Sequence, residues 1–306
     1  MTDDRWALAA ELADVGRVVR AAVGIPRGAA DAEVVRTAGG DDVFGVDDRA
    51  DEVLVAELSR RCGPRWPGRL VIEGFDEAVA VGDPSGPWRY LADPVDGSRP
   101  WLWGKRSAWV LLGAGREAAT LADLEVGASV ELPTANAGAA LTAWAVRDEG
   151  EPRAELDTAG EIPGGSRAVT LRPLDGGRLD HRFVTVMRYS VGTKAVLGAW
   201  EDEVLAGLHT YEDPYLSTGG LLMEIALGRQ AAAFDPRPLV APAAMSSHPY
   251  DLAGWIVPAA AGVLVEALPS GPLAAPLDTS TGVAWAAYAN DEIAAQLRPR
   301  VAAALG

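Results

Sequence analysis

The chain is 306 residues long and 49% hydrophobic, enough for one large domain or two ordinary ones around a sizeable core. Its formal charge of −16 argues against a nucleic-acid groove, which needs a basic face. A single cysteine, Cys62, leaves no internal disulfide and points to a reducing compartment, and three separated histidines, His181, His209 and His248, give no zinc-type ligand spacing.

The first residues lack a basic region ahead of an apolar run, and no apolar stretch is long enough to span a bilayer, so the chain reads as cytoplasmic. Residues 4–23 repeat apolar positions at helical spacing (Trp6, Leu8, Leu12, Val15, Val18, Val19, Val23), and Pro26 and Gly28 end that helix. Residues 29–40 read as a weakly patterned connection. A second helix is expected from about Asp47 to Arg61, with Val53, Leu54 and Leu58 inward and Asp47 or Asp48 capping its first turn. Leu70-Val71-Ile72-Glu73 is a short strand ending in an acid.

Tyr90, Leu91 and Ala92 then form a strand that runs into Asp93. Pro94 has no N–H for the ladder, so the chain is expected to leave the strand there and turn through Val95-Asp96-Gly97-Ser98. Across that turn the Asp93 and Asp96 carboxylates can point into one pocket. Hard divalent cations such as Mg²⁺ want oxygen ligands of this kind. Gly97 and Ser98 offer open backbone N–H groups and a hydroxyl, which suit a phosphate. Metal and phosphate together point to metal-assisted phosphoryl transfer to water.

Strands are expected at 107–113, 121–132 and 139–146. Residues 148–166 read as a solvated connection and as the boundary between an N-terminal half, 1–150, and a C-terminal half, 151–306. The second half alternates: a strand at 183–187, a helix over 193–209, and a helix from Leu221 to Gly228 with Ser217 as a natural cap. Asp251 falls in the first turn of another helix, where a carboxylate also stabilises the helix dipole. Strands at 262–266 and 285–289 and a helix over 290–304 capped by Asn290 complete the chain.

Asp93-Pro94-Val95-Asp96-Gly97-Ser98 resembles the Asp-Pro-(Ile/Leu/Val)-Asp-Gly-(Thr/Ser) signature of the inositol monophosphatase-like phosphatases. That superfamily also holds fructose-1,6-bisphosphatases and 3'-phosphoadenosine phosphatases. Gly40-Asp41-Asp42-Val43-Phe44-Gly45-Val46-Asp47 resembles the family's Gly-Asp-x-Val-Thr-x-x-Asp, with Phe44 in place of the threonine. Glu73-Gly74 resembles a variant of its Gly-Glu-Glu segment. Tyr250-Asp251-Leu252-Ala253-Gly254 resembles its closing Trp-Asp-x-Ala-(Ala/Gly), with Tyr for Trp. The Glu73-Gly74 variant resembles that of a divergent bacterial branch of the family.

The resemblance implies an α+β or α/β fold, a layered αβαβα sandwich with an N-terminal half rich in antiparallel strands and a smaller C-terminal sheet flanked by helices. It implies two or three Mg²⁺ ions: Glu73, Asp93 and the Val95 carbonyl would hold one, and Asp93, Asp96 and Asp251 another. Asp47 would orient the attacking water beside Glu73, and Gly97 and Ser98 would receive the phosphate. Ser217, Thr218 and Gly219 become candidates for substrate binding. Lys105 and Arg106 are candidates for an anionic substrate group, or else surface charges. Trp101 and Trp103 either pack or stack on a substrate ring. The implied partner is a small phosphorylated polyol, sugar or nucleoside, with no nucleic-acid polymer and no membrane, and a homodimer is an expected assembly. The alternatives are a nucleotide 3'-phosphatase, a sugar bisphosphatase, and a non-catalytic relative that binds a phosphorylated ligand.

Overall fold

The structure is a computed structural model that describes residues 2–26, 32–38, 41–158, 165–189 and 191–306. Gly28 and Gly40, named above, and residues 159–164 of the expected connection lie outside the described residues.

Helix α1 (Thr2–Val23) leads to a hairpin of β1 (Val34–Ala38) and β2 (Asp41–Phe44), then to α2 (Gly45–Cys62). A large sheet follows, built from β3 (Gly68–Ile72), β4 (Val79–Val81), β5 (Trp88–Asp96), β6 (Ala108–Arg116), β7 (Val126–Leu132), β8 (Ala139–Val146), β9 (Arg153–Thr158) and β10 (Ser166–Val169). Its order is β10-β9-β8-β7-β6-β5-β3-β4. Every pairing in it is antiparallel except β3 with β5. The short helix α3 (Ser98–Leu102) sits between β5 and β6.

The second half carries β11 (Val184–Val186), α4 (Lys194–Val204), α5 (Thr218–Ala226), β12 (Ala232–Asp235), α6 (Arg237–Val240), α7 (Ile256–Ala260), β13 (Leu264–Ala267), β14 (Trp285–Tyr288) and α8 (Asp291–Ala304). Its four strands form a second sheet in the order β11-β12-β14-β13. Helices α1 and α2 cover one face of the large sheet, α5 and α7 lie between the sheets, and α4 and α8 pack together with α8 against β14. These are the five layers of an αβαβα sandwich.

Period-two alternation explains how the large sheet serves two cores. On β6, Ala108, Val110, Leu112 and Ala114 face α1 and α2, while Trp109 and Leu111 face the C-terminal half. On β5, Trp88, Tyr90 and Ala92 join the first core and Leu91 the second. Strands buried on both faces have no polar side to show, which is why β6 reads as a continuous apolar run and β5 does so from Tyr90 to Ala92.

Several elements differ from the sequence expectation. The stretch 148–166 is not all connection: β9 and β10 extend the large sheet through it. Strand β1 occupies part of the expected connection at 29–40. Strand β7 begins at Val126, after a 3-10 turn at Leu121–Asp123. Helix α4 stops at Val204, and Gly207, with φ of 73°, takes the chain out of the helical region. Asp251 stands in a 3-10 turn, Pro249–Leu252, ahead of α7.

Beneath the small sheet lies an ion pair with both side chains fully buried. Arg237 Nε and Nη2 donate to the two oxygens of Asp235, at 2.7 Å each. Asp235 also accepts from the Ser247 N–H and hydroxyl, at 3.0 and 2.7 Å. Removing one partner of such a pair strands a charge in a dry interior, at a cost of about 3–5 kcal/mol. Arg237→Met should therefore lower stability by about that much in urea unfolding. A loss below about 1 kcal/mol would mean that the interior neutralises Asp235 without help.

Candidate active site

Strand β5 does not end at Pro94. It pairs Asp93 with Leu111 and Asp96 with Trp109, so three steps on β5 match two on β6. This is a bulge, placed where Pro94 has no N–H to give. In a regular strand, residues three apart face opposite sides. The extra residue cancels that, and Asp93 and Asp96 both turn toward the C-terminal half. Val95 stays in the core under α1 and α2, and its N–H donates to Asp93 Oδ1 at 3.0 Å.

Gly97 then turns the chain with φ of 87°, a conformation that L residues with side chains avoid. A Cβ there would lie 2.8 Å from Cβ of Ser217. The glycine thus lets the start of α5 close onto the end of β5. The contact is polar as well. Asp96 Oδ2 accepts from the Ser217 hydroxyl and the Gly219 N–H, both at 2.7 Å, and Oδ1 accepts from the Thr218 N–H at 3.2 Å. Ser217 Oγ in turn accepts the Gly220 N–H at 2.9 Å. The carboxylate of Asp96 therefore caps α5 from the other half of the chain, where the helix dipole favours negative charge.

Asp251 completes the cluster. Its Oδ2 accepts the His248 N–H at 2.6 Å. Asp93, Asp96 and Asp251 each offer an oxygen within 4.8 Å of the other two. They line a cavity of about 280 Å³ together with Asp47, Asp51, Glu73, Val95, Gly97, Ser98, Arg99, Ser217 and Thr218.

The electrostatics follow from burial and crowding. Burial, then the charges of Asp251 and Asp47, push Glu73 well above the usual carboxylate range. Asp93 is raised by burial, then by Glu73, Asp96 and Asp251. Asp251 is raised by burial and by Asp96. Asp96 is raised by burial only to about 6, because the donors of α5 hold its charged form. Four acids held this way would take a cation readily. The donor set is all oxygen, with no histidine or thiol, which fits a hard divalent ion such as Mg²⁺.

Most of the expected site residues converge. Asp47, Glu73, Asp93, Val95, Asp96, Gly97, Ser98, Ser217, Thr218 and Asp251 all line the cavity. Asp47 also does local work, accepting the Phe44 N–H at 2.8 Å at the start of α2. Phe44 itself packs into the core beneath α2, so it leaves no hydroxyl beside Asp47. Gly219 is buried against Leu111 and Asp96 and does not line the cavity. Lys105 and Arg106 are not brought to it either. Lys105 is exposed, while Arg106 pairs with Asp213 and lies over the ring of Tyr215. Trp101 is buried, its indole N–H donating to the Pro133 carbonyl at 3.0 Å, and Trp103 projects from the surface.

Asp51 and Tyr189 are among the lining residues that were not anticipated. Asp51 is buried and lines the cavity one turn after Asp47. Its i, i+4 spacing from Asp47 was the available signal. Tyr189 also lines the cavity, and nothing in its sequence surroundings marks it.

Neither a family model nor a curated protein matches the chain. Solved structures do, and they give the class first: this is the inositol monophosphatase/fructose-1,6-bisphosphatase-type fold. A structure described as a putative sedoheptulose-1,7 bisphosphatase from Toxoplasma gondii superposes with a TM-score of 0.71 at 14% identity, covering 97% of this chain and 93% of that one. The IMPase of Thermotoga maritima gives 0.66 at 18% identity, covering 99% and 100%. The extragenic suppressor protein suhB of Bartonella henselae gives 0.66 at 17%, covering 96% of each. Likeness at this identity establishes the fold. Among the described residues no helix is long and apolar enough to cross a membrane.

The raised acids predict how stability depends on pH when metal is removed. Between the ordinary carboxylate range and their raised values, Glu73, Asp93, Asp96 and Asp251 hold protons that the unfolded chain has released. Stability then falls as pH rises through that window. Glu201, pushed by burial to about 7, adds to the same trend, and His248, pushed down by burial, works in the opposite sense as one group against five. Melting in chelator should move to lower temperature from pH 5 to pH 8, and Mg²⁺ should flatten the slope. A melting temperature that climbs over this range in chelator would contradict the assignment.

Proposed function

We propose that the protein is a metal-dependent phosphomonoesterase acting on a small phosphorylated polyol, sugar or nucleoside. The observation that carries this reading is the close carboxylate triad Asp93, Asp96 and Asp251 in one cavity with Gly97 and Ser98. Two of the superposed structures bear phosphatase names, the IMPase and the putative sedoheptulose-1,7 bisphosphatase, which agree with it.

Glu73, Asp93 and the Val95 carbonyl would hold one Mg²⁺ ion, and Asp93, Asp96 and Asp251 a second. Such ions lower the pKa of a bound water and neutralise charge on a phosphate and its departing oxygen. The protein supplies the rest. Asp47 accepts from the attacking water and orients it. With Phe44 in the core, no threonine hydroxyl assists, and Asp51 adds a further acid on the same helix face. The N–H groups of Gly97 and Ser98, with the Ser98 hydroxyl, receive the phosphate oxygens. The water attacks phosphorus as the ester oxygen departs with its electron pair and takes up a proton, so no covalent phospho-enzyme forms.

Phosphate release from a panel of phosphomonoesters should require Mg²⁺ and stop in chelator. Full activity after exhaustive chelation would refute the metal mechanism. Asp251→Asn is the cleanest substitution. Its amide oxygen can still accept the His248 N–H, and its NH₂ can donate to the neighbouring acids. Turnover should drop by on the order of a hundredfold or more. The metal-free melting temperature should hold or rise, because repulsion is relieved. Unchanged turnover would remove Asp251 from the site.

A further inference from the structure

The cavity that gathers the acids also has a base in its wall. Among the described residues, Arg99 is the one Lys or Arg that lines it, where seven of the lining residues are Asp or Glu. A guanidinium in such a place has two possible partners, the acids themselves or an anion that enters the cavity. Other cations nearby are engaged elsewhere. Arg106 pairs with Asp213, Asp235 grips Arg237, and Arg188 and Lys194 line a separate cavity of about 220 Å³.

The backbone beneath Arg99 is fixed. It stands in α3, half-buried, one residue after Ser98 and two after Gly97. Trp101 pins the same helix, fully buried, with its indole N–H on the Pro133 carbonyl at 3.0 Å. Gly97, at the head of that helix, is packed against Ser217. A charged donor is thus held beside the two neutral N–H donors assigned to the phosphate.

The charges in the cavity favour the anion as its partner. Two divalent ions only balance the four acids that would hold them, Glu73, Asp93, Asp96 and Asp251. A phosphate monoester brings close to two further negative charges near pH 7. Asp47, Asp51 and Asp76 add more. Arg99 is the group in the wall that offsets this excess, and a guanidinium keeps its charge at every working pH.

We propose that Arg99 is a catalytic residue whose guanidinium pairs with the phosphoryl oxygens of the substrate and holds the charge that builds on them as water attacks. This rests on the phosphomonoesterase reading above. The planar fork presents two N–H groups to two oxygens at once, which an ammonium does not. Arg99 neither gives nor takes a proton. The water oxygen bonds to phosphorus, and the bond from phosphorus to the ester oxygen breaks. Its electron pair leaves on the alcohol oxygen, which receives the proton that the water gives up. A positive charge already in place favours this step without rearrangement.

Calorimetric titration of the full chain with Mg²⁺, and then of the Mg²⁺-loaded chain with inorganic phosphate, tests this without turnover. In Arg99→Gln, phosphate affinity should fall roughly tenfold. Mg²⁺ affinity should hold or rise, because a positive charge has left the surroundings of the acids. A mere counter-ion to the acids would give the same Mg²⁺ result with phosphate affinity unchanged. Arg99→Lys keeps the charge and loses the fork, so it should bind phosphate about threefold more weakly, and it carries the test should Arg99→Gln fail to fold. Turnover in Arg99→Ala should drop by on the order of a hundredfold, and added guanidinium ion should restore part of it. Phosphate affinity unchanged in Arg99→Gln or Arg99→Lys, phosphate affinity lost together with Mg²⁺ affinity, or a Mg²⁺-loaded wild type that binds no phosphate would overturn the inference. Phosphate release by the wild type separates the two readings. Release that Arg99→Gln leaves unchanged sinks only this inference, whereas phosphate binding that needs Arg99, without release, sinks only the phosphomonoesterase.

Discussion

The structure depends on a carboxylate that caps a helix belonging to the other half of the chain. Asp96 ends β5 in the large sheet, and its two oxygens take the first donors of α5. The glycine at position 97 permits the approach, and the bulge at Pro94 turns Asp96 to the correct side. These features concern one short segment, yet they fix how the two halves meet. They also make Asp96 the one acid of the cluster whose charge the protein itself supports in large part. Its neighbours are left to repel one another, which is the condition under which a divalent ion is bound strongly.

That division of labour explains why the cavity lies where it does. The large sheet supplies Asp93, Asp96 and, from the end of β3, Glu73. Helix α2 supplies Asp47 and Asp51, and the 3-10 turn before α7 supplies Asp251. No single element could carry so much like charge in one place. Spread over four elements, the charge is held by packing that each element secures elsewhere. The same buried polar thread runs on from Thr218 through Ser247 to Asp235 and Arg237, whose guanidinium lies over the ring of Tyr189 at the cavity wall.

Much of this was legible in the sequence where the chemistry is local. The Asp93–Ser98 segment announces itself because proline, glycine and two aspartates constrain a turn within six residues. Buried strands such as β6 are legible because both faces are apolar. The margin of the sheet is not: the edge strand β10 is almost wholly exposed, β9 beside it is mostly half-buried, and their polar residues look like a solvated link. Proximity in sequence also misleads. Lys105 and Arg106 follow the motif closely, but α3 and the turn after it direct them away, and Arg106 pairs with Asp213. Ser217–Gly219 read as a site for an outside anion, and the donors were correctly seen. The anion they hold is Asp96, a partner 121 to 123 residues away that no local pattern could name.

The central claim is that the three carboxylates share metal. Diffraction from crystals grown with Mn²⁺, recorded where manganese scatters anomalously, tests it most directly. The account predicts an anomalous peak between Asp93, Asp96 and Asp251 at oxygen-ligand distance from all three. Well-ordered crystals with manganese elsewhere on the surface, and none between these carboxylates, would contradict it.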